Sequence, residues 1–318
     1  RGKMNFNGLV VTDASHMVAM TSAMKRSEML PTAIAAGSDL FLFFNDPDED
    51  FQWMMDGYKN GIITDERLEE ALTRILGTKA ALGLHKKAKT EILPEKEVAM
   101  AKIGLEENKA IAKEVSDKAI TLVKNTQDVL PIAPEKTKRV LLVEAKGFDG
   151  GFGKFIEIMG GAKKKPVEIV KELLEAKGFD VEIWESPIDK IMKLPKEEMA
   201  QALGNVYAGK RPIAELTSKY DLIINIANVN ASVDQRLQWP PSKGTPDIPF
   251  YVNEIPTIFV SVKCPFHLAD VPQVKTYINT YDDNQQTLEA LVEKLVGNSE
   301  FKGISPVDAF CGFGDTRF

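Results

Sequence analysis

The side chain with the clearest chemical potential near the start of the chain is that of Asp13. It lies in the segment GLVVTDASHM, residues 8–17, where four residues that suit a buried strand run directly into the carboxylate. A carboxylate at the end of a rigid strand is held in a fixed position, which suits a nucleophile. The same residue can instead cap the next helix or begin a turn, and the residues alone favour this simpler interpretation.

Two strand-then-helix units are predicted around Asp13. Strand Gly8–Thr12 leads into a helix over Met29–Gly37, and strand Asp39–Phe44 leads into a helix over Phe51–Gly61. Both strands are apolar on both faces, which is typical of parallel strands covered on each side. Two such strands cannot cover each other, and open edges would forgo about 1.5–3 kcal/mol for each exposed Val, Leu or Phe. We therefore expect further strands upstream of this segment.

A capped helix and a charged linker end this first region. Thr64 can cap the helix, which ends at Gly83. The apolar face of this helix comprises Leu68, Leu72, Ile75 and Leu76. The charged stretch from His85 to Glu97 contains Pro94 and is typical of a linker. We predict a boundary near residue 86, followed by a helical stretch over 98–117.

Strands alternate with helices in the remainder of the chain. The predicted strands are Ala119–Lys124, Arg139–Ala145, Val181–Glu185, Asp221–Val229, Thr257–Val262 and Lys275–Tyr281. Between two of them, Pro166 suits a first helical turn and Gly178 suits the end of that helix. This alternation predicts an α/β domain with a largely parallel sheet.

Composition excludes several classes of protein. The 318 residues carry a formal net charge of −6, whereas a nucleic-acid or anionic-membrane surface needs a basic excess. The two cysteines, Cys264 and Cys311, lack metal-ligand spacing, so we expect neither a zinc site nor a disulfide framework. No apolar run reaches the roughly 18 residues of a transmembrane helix.

Five segments of the chain are informative when taken together and in order: KMNFNGLVVTDASHM, AIAAGSDLFLFF, GIITDERLEEALTRILGTKAALGLH, SDKAITLVKNTQDVLPI and TYINTYDDNQQTLEALVEKLVGNSEFKGISPV. In this order they resemble glycoside hydrolase family 3. The first resembles the family's nucleophile segment, although Asn5 replaces the usual Gly of its lead. The resemblance implies the last two βα units of a (β/α)₈ barrel over residues 1–86, a linker and helix over 87–118, and an α/β sandwich domain over 119–318.

The resemblance also implies a retaining glycosidase in which Asp13 is the nucleophile. The carboxylate attacks the anomeric carbon and forms a covalent glycosyl-enzyme, which water then hydrolyses. A carboxylate and a proton donor suffice for this chemistry, so no metal or organic cofactor is implied. The implied partners are a carbohydrate substrate and the missing barrel portion, supplied by the same protein or by another chain. We expect the fragment alone to be inactive.

The proton donor separates the branches of the family. In its β-glucosidases the acid/base is a Glu on the second domain, but the comparable stretch here, Asn225–Pro241, contains no Glu. In its β-N-acetylglucosaminidases a His–Asp pair on an early barrel loop handles the proton. We therefore predict an exo-acting β-N-acetylhexosaminidase for terminal N-acetylglucosamine. A β-glucosidase of the same family and a non-catalytic carbohydrate-binding or structural module remain alternatives.

A few other side chains are candidates for the site. His16, Met17 and Arg236 are candidate substrate contacts, although Arg236 is also compatible with a surface ion pair. We predict a helix C-terminal contact for His85 and a structural role for His267. Turn or surface roles are expected for Asp234 and Glu254. The glycine-rich segment KGFDGGFGKFIEIMGG fits neither dinucleotide nor Walker spacing and is predicted to be a flexible loop.

Overall fold

The chain folds into two compact units, Arg1–Ile103 and Gly104–Phe318. The computed structural model describes residues 1–147, 164–209, 212–229, 236–239 and 244–318. Most of the glycine-rich segment and Asp234 lie outside the described residues. Within the described residues, no helix combines the length and apolar character needed to cross a bilayer.

The first unit pairs two short parallel strands and packs helices beside them. Its elements are β1 (Val11–Ala14), α1 (Val18–Thr21), α2 (Arg26–Ala35), β2 (Leu40–Leu42), α3 (Pro47–Lys59), α4 (Asp65–Ala81), a 3₁₀ turn (Leu84–Lys86), α5 (Lys89–Ile92) and α6 (Lys96–Met100). Strands β1 and β2 are parallel, with Val11 opposite Leu40 and Ala14 opposite Leu42. The predicted linker therefore contains short helical segments.

Both strands of the first unit are shorter than the apolar runs suggest. Strand β1 begins at Val11, so Asp13 lies within the strand rather than after it. Strand β2 ends at Leu42 because Phe43 adopts a positive φ of 49°, which an extended strand does not allow. Several apolar side chains here are exposed, among them Leu42 at 40% and Phe43 at 64%.

Local signals in the sequence determine where the helices begin and end. The Asp46 carboxylate accepts hydrogen bonds from the N–H groups of Asp48 and Glu49, so α3 begins at Pro47, before the predicted start. Thr64 caps α4 as predicted, since its side chain accepts a hydrogen bond from the Arg67 N–H at 3.2 Å. Helices α2 and α3 approach closely at Gly57, where a Cβ would lie 2.2 Å from Pro31 Cβ.

The second unit is a sheet with helices packed against it. Its elements are α7 (Glu106–Ala119), β3 (Thr121–Asn125), β4 (Arg139–Gly147), α8 (Pro166–Ala176), β5 (Asp180–Ile183), α9 (Pro187–Ile191), α10 (Lys196–Ala208), α11 (Ile213–Lys219), β6 (Leu222–Ala227), β7 (Leu237–Gln238), β8 (Thr257–Ser261), a 3₁₀ turn (His267–Ala269), β9 (Thr276–Asn279), α12 (Gln285–Leu295) and a 3₁₀ turn (Asp315–Arg317). Pro166 lies in the first turn of α8, and Gly178 has the left-handed φ of 92° that ends it, as predicted.

The sheet of the second unit is mixed: four of its six strand pairs are parallel and two are antiparallel. Its strand order is β3-β9-β8-β6-β4-β5, with β7 paired to β4. The pairs β4–β5, β4–β6, β6–β8 and β8–β9 are parallel, whereas β3–β9 and β4–β7 are antiparallel. The parallel strands follow the order 2-1-3-4-5, so the chain reverses its direction of progress between β4 and β6. In open α/β sheets this switch point opens a crevice at the carboxyl ends of the strands.

Apolar side chains on both faces bury the sheet. Every residue of β6 is buried. On one face the apolar stripes of α8 and α12 contribute Val170, Leu174, Leu288 and Leu291 to the core. On the other face Tyr220, Tyr251 and Ile255 pack against Leu141 and Ile223. The apolar runs in the sequence reflect this two-sided coverage.

Candidate active site

Strand β1 presents the Asp13 side chain at the carboxyl end of the two-stranded sheet. Asp13 is exposed, whereas the next residue, Ala14, is buried. The Ala14 N–H donates a hydrogen bond to Asp13 Oδ1 at 2.7 Å. Among the described residues none donates a hydrogen bond to Asp13 Oδ2.

The turn after Asp13 is fixed by a buried polar cluster of Ser15, Arg26 and Asp50. Arg26 donates to the Ser15 carbonyl oxygen at 2.6 Å, and its other terminal nitrogen lies 2.6 Å from Asp50 Oδ1. The Ser15 hydroxyl lies 3.3 Å from Asp50 Oδ2. Ser15 is fully buried and the Asp50 side chain is 6% exposed, so water screens this ion pair only weakly. The cluster therefore holds the backbone two residues beyond Asp13.

Several elements bring this cluster together. Arg26 is the first residue of α2, and Asp50 lies in the first turn of α3. Asp50 Oδ2 also accepts a hydrogen bond from the N–H of Asn45, in the loop after β2. The Ser15 N–H donates to the Phe43 carbonyl oxygen at 3.1 Å. These contacts join the turns after both strands to the starts of two helices. The sequence does not reveal this cluster, because nothing in the spacing of its residues shows that they meet.

A second buried carboxylate, Asp39, lies at the opposite end of the sheet, just before β2. Its oxygens accept hydrogen bonds from the Val10 N–H at 3.0 Å and from Arg67 at 2.5 Å, and Arg1 also contacts it. Burial acts to raise the pKa of Asp39, but the Val10 and Arg67 hydrogen bonds and the positive charges of Arg1 and Arg67 outweigh it and hold the pKa below its usual value. Because this cluster joins α4 to the amino ends of the strands, we assign it to stability.

The candidate substrate contacts are divided between the two units. His16 and Met17 are exposed in the turn after β1, on the same segment as Asp13. Arg236 belongs to the second unit, where its Nε lies 2.5 Å from Asp270 Oδ1. Its side chain is 66% exposed, which agrees with the surface ion pair that the sequence allowed as an alternative to a substrate contact. The substrate roles of all three residues stay predictions.

The other histidines lie in different surroundings. His85 is exposed in the 3₁₀ turn that follows α4. His267 is fully buried in the second unit, with Nδ1 2.9 Å from the Ser261 hydroxyl oxygen. No group of three or more His, Cys, Asp or Glu side chains suited to a metal ion occurs among the described residues.

Known proteins resemble the chain over its whole length. Residues 1–78 match the family model described as the glycosyl hydrolase family 3 N terminal domain. A β-N-acetylglucosaminidase/β-glucosidase of Cellulomonas fimi is 39% identical over 321 residues, covering 100% of this chain and 52% of the relative. The chain thus spans about half the length of that curated relative.

Solved structures resemble the chain as well. The structure named β-glucoside phosphorylase BglX has a TM-score of 0.78 and 38% identity, covering 100% of this chain and 52% of its own. A family 3 β-N-acetylglucosaminidase from Paenibacillus sp. str. FPU-7 has a TM-score of 0.62 at 20% identity, covering 97% of this chain and 52% of its own, and supports the fold alone. The chain belongs to glycoside hydrolase family 3.

Proposed function

We propose that the protein is a retaining, exo-acting β-N-acetylhexosaminidase that removes terminal N-acetylglucosamine through a covalent intermediate on Asp13. The observation that carries the proposal is an exposed Asp13 carboxylate at a strand end, within the segment that matches the family model. We further propose that β1 and β2 are the last two strands of a (β/α)₈ barrel, completed by strands outside these residues, and that the second unit is the α/β sandwich domain.

The chemistry follows from the two oxygens of Asp13. Its Oδ1 accepts the Ala14 N–H, which orients the carboxylate and leaves Oδ2 to attack the anomeric carbon. As the C–O bond to Oδ2 forms, the glycosidic bond breaks and a general acid protonates the leaving oxygen. The same group then takes a proton from water, which attacks the anomeric carbon and releases Asp13. The buried Ser15–Arg26–Asp50 cluster limits movement of the turn and so reduces the reorganisation needed at the reacting carboxylate.

The preference for N-acetylglucosaminides rests on the expected location of the acid. No Glu occurs between Asn225 and Pro241, where a glucosidase-type acid would lie. Glu254 is exposed in a turn, its N–H donating to the Tyr251 carbonyl oxygen at 3.0 Å. We therefore propose that the acid/base lies in a barrel segment outside this chain. The name of the Cellulomonas fimi relative includes β-N-acetylglucosaminidase as well as β-glucosidase activity, which supports N-acetylglucosaminides as a substrate class.

Replacing the nucleophile tests the central claim. In the whole protein, Asp13→Asn should lower turnover of nitrophenyl β-N-acetylglucosaminide by several orders of magnitude, since an amide cannot form the glycosyl ester. Glu254→Ala is the matched control and should stay within about tenfold of the parent on a substrate with a poor leaving group, because loss of a true acid costs about a hundred- to ten-thousand-fold. Wild-type rates in Asp13→Asn would refute the nucleophile assignment.

Comparing an N-acetylglucosaminide with a β-glucoside tests which branch of the family the protein belongs to. The whole protein should have a higher kcat/KM on nitrophenyl β-N-acetylglucosaminide than on the β-glucoside. If Glu254→Ala abolished turnover of poor substrates but spared activated ones, the acid would lie on the second unit and the β-glucosidase alternative would replace this proposal. The 318-residue chain by itself should show no turnover, because the remaining strands and the acid are supplied elsewhere.

Phosphorolysis is a second candidate for the last step. The observation that favours it is the 38% identity to a structure named as a β-glucoside phosphorylase. Phosphate in place of water would attack the same Asp13 ester and yield a sugar 1-phosphate. Product analysis with and without inorganic phosphate distinguishes the two, because a hydrolase releases only the free sugar.

A further inference from the structure

We propose that the second unit contains a separate binding site for a neutral monosaccharide, in a cavity at the carboxyl ends of β4 and β5. The cavity has a volume of about 250 Å³ and lies on the β5 side of β4, whereas the strand order reverses on the other side of β4, between β4 and β6. Its wall includes Lys146 and Gly147 at the end of β4, Ser186 after β5, and Trp239 after β7. Open α/β sheets bind ligands outside the carboxyl ends of their strands, which is the end of the sheet where this cavity lies.

Two buried polar atoms in the wall lack partners. The Ser186 hydroxyl oxygen and Asp247 Oδ2 have no hydrogen bond to any described residue, although Ser186 is only 7% exposed and Asp247 only 9%. An unpaired buried polar group costs about 1–3 kcal/mol, and more when it is charged. Most buried polar groups therefore have a hydrogen-bond partner. Two buried polar atoms without partners in the wall of one cavity indicate a ligand that completes their hydrogen bonds.

The other carboxylates of the cavity show that Asp247 is distinct. Glu144 lies 2.9 Å from the ammonium of Lys165, and Asp189 is paired with Lys146. No such ion pair reaches Asp247 within the described part of the chain. A hydrogen-bond donor from a ligand would therefore meet Asp247 as the available acceptor.

The chemistry of the wall selects the ligand. Three carboxylates and one ammonium line the cavity, which disfavours an anion such as a phosphate. Hydroxyl groups of a sugar can donate to Asp247 and both donate to and accept from Ser186 and Gln238. The Trp239 side chain offers an apolar surface for the ring carbons. The volume is below the roughly 300–1,000 Å³ typical of drug-sized ligands, so one sugar ring is the fitting size.

Ligand-detected NMR titration of the 318-residue chain with glucose and N-acetylglucosamine tests the site. We expect saturable binding of at least one of them, weakened about tenfold or more by Asp247→Asn and by Ser186→Ala, since each removes a hydrogen bond in a desolvated place. Asp128→Asn is the matched control. Asp128 is exposed just after β3, which runs antiparallel to β9, so it lies at the opposite end of the sheet, and this change should leave binding unaltered.

Two further readings separate this site from the proposed active site and from a structural role. Asp13→Asn should bind the sugar as the parent does; loss of binding there would place the sugar in the first unit and overturn the proposal. Asp247→Asn should not lower the melting temperature, because it removes a buried carboxylate oxygen without a partner. If Asp247→Asn does not fold, the sugar binding of Ser186→Ala tests the site instead. Absence of saturable binding, or binding insensitive to these variants, also overturns the proposal.

Discussion

The strands of the two units are stabilised in different ways. In β6 of the second unit all six residues are buried, whereas in β2 of the first unit none is. The first unit instead places two buried carboxylates, Asp39 and Asp50, against arginines at opposite ends of its sheet. Apolar burial therefore dominates the second unit, and the strands of the first unit depend on ion pairs at their ends.

The same comparison distinguishes structural carboxylates from a candidate ligand contact. Asp39 and Asp50 accept hydrogen bonds from both arginine and backbone N–H groups. Asp247 of the second unit has an oxygen with no partner among the described residues. A buried charge in a structural role is normally paired because desolvation is costly. The difference teaches that pairing, rather than burial, indicates which carboxylate has a function beyond the fold.

The largest effect that tests this comparison is expected in the core of the second unit. Leu142→Ala should lower the free energy of unfolding by about 2.7–5 kcal/mol, because Leu142 is fully buried and leaves a cavity. Leu42→Ala in β2, where Leu42 is 40% exposed, should cost less than about 1 kcal/mol. Denaturant titration of the 318-residue chain measures both. Equal costs would contradict the comparison. In the whole protein Leu42→Ala should become more costly, because the proposed barrel strands would cover it.

A smaller effect is expected from breaking the ion pair near Asp13. Arg26→Ala should destabilise the first unit by about 3 kcal/mol, the lower end for a buried pair, because it leaves Asp50 buried without its cation. Arg26 is 20% exposed, so some water can compensate. Thermal unfolding of the chain gives the value, and Arg26→Lys, which keeps the charge, should recover part of the loss. Stability unchanged in Arg26→Ala would show that the strand ends do not depend on this pair.

The smallest effect is a pH dependence of the first unit through Asp39. The pKa of Asp39 is held below its ordinary value of 3.8, so the stability from its ionised form is fully present above that pH. It is lost as the pH falls through the lower folded pKa, where the carboxylate takes up a proton. Unfolding titrations between pH 5 and about 2 should show this loss, and Asp39→Asn should reduce the slope. An unchanged slope in Asp39→Asn would assign the acid sensitivity to other groups.

Sequence reasoning succeeded where the signal is local. The Thr64 cap of α4, the Pro166 start of α8 and the Gly178 stop depend on a few neighbouring residues, and the structure confirms each. The predicted ends of the strands were less accurate. Strand β1 continues past its predicted end to include Asp13, and β2 ends before Phe43. Those limits depend on pairing between strands and on backbone angles, which an apolar run does not encode.

The sequence by itself determined the alternation of strands and helices, the position of Asp13 beside an apolar strand and the family to which the chain belongs. Only the tertiary structure decided that Ser15, Arg26 and Asp50 meet, since the contacts join residues 24 and 35 positions apart. It also decided that β3, the first strand of the second unit, pairs with β9, the last strand, in the antiparallel direction. The physical reason is that helix caps and apolar periodicity act within a few residues, whereas ion pairing and strand direction depend on which distant segments the packed core brings together.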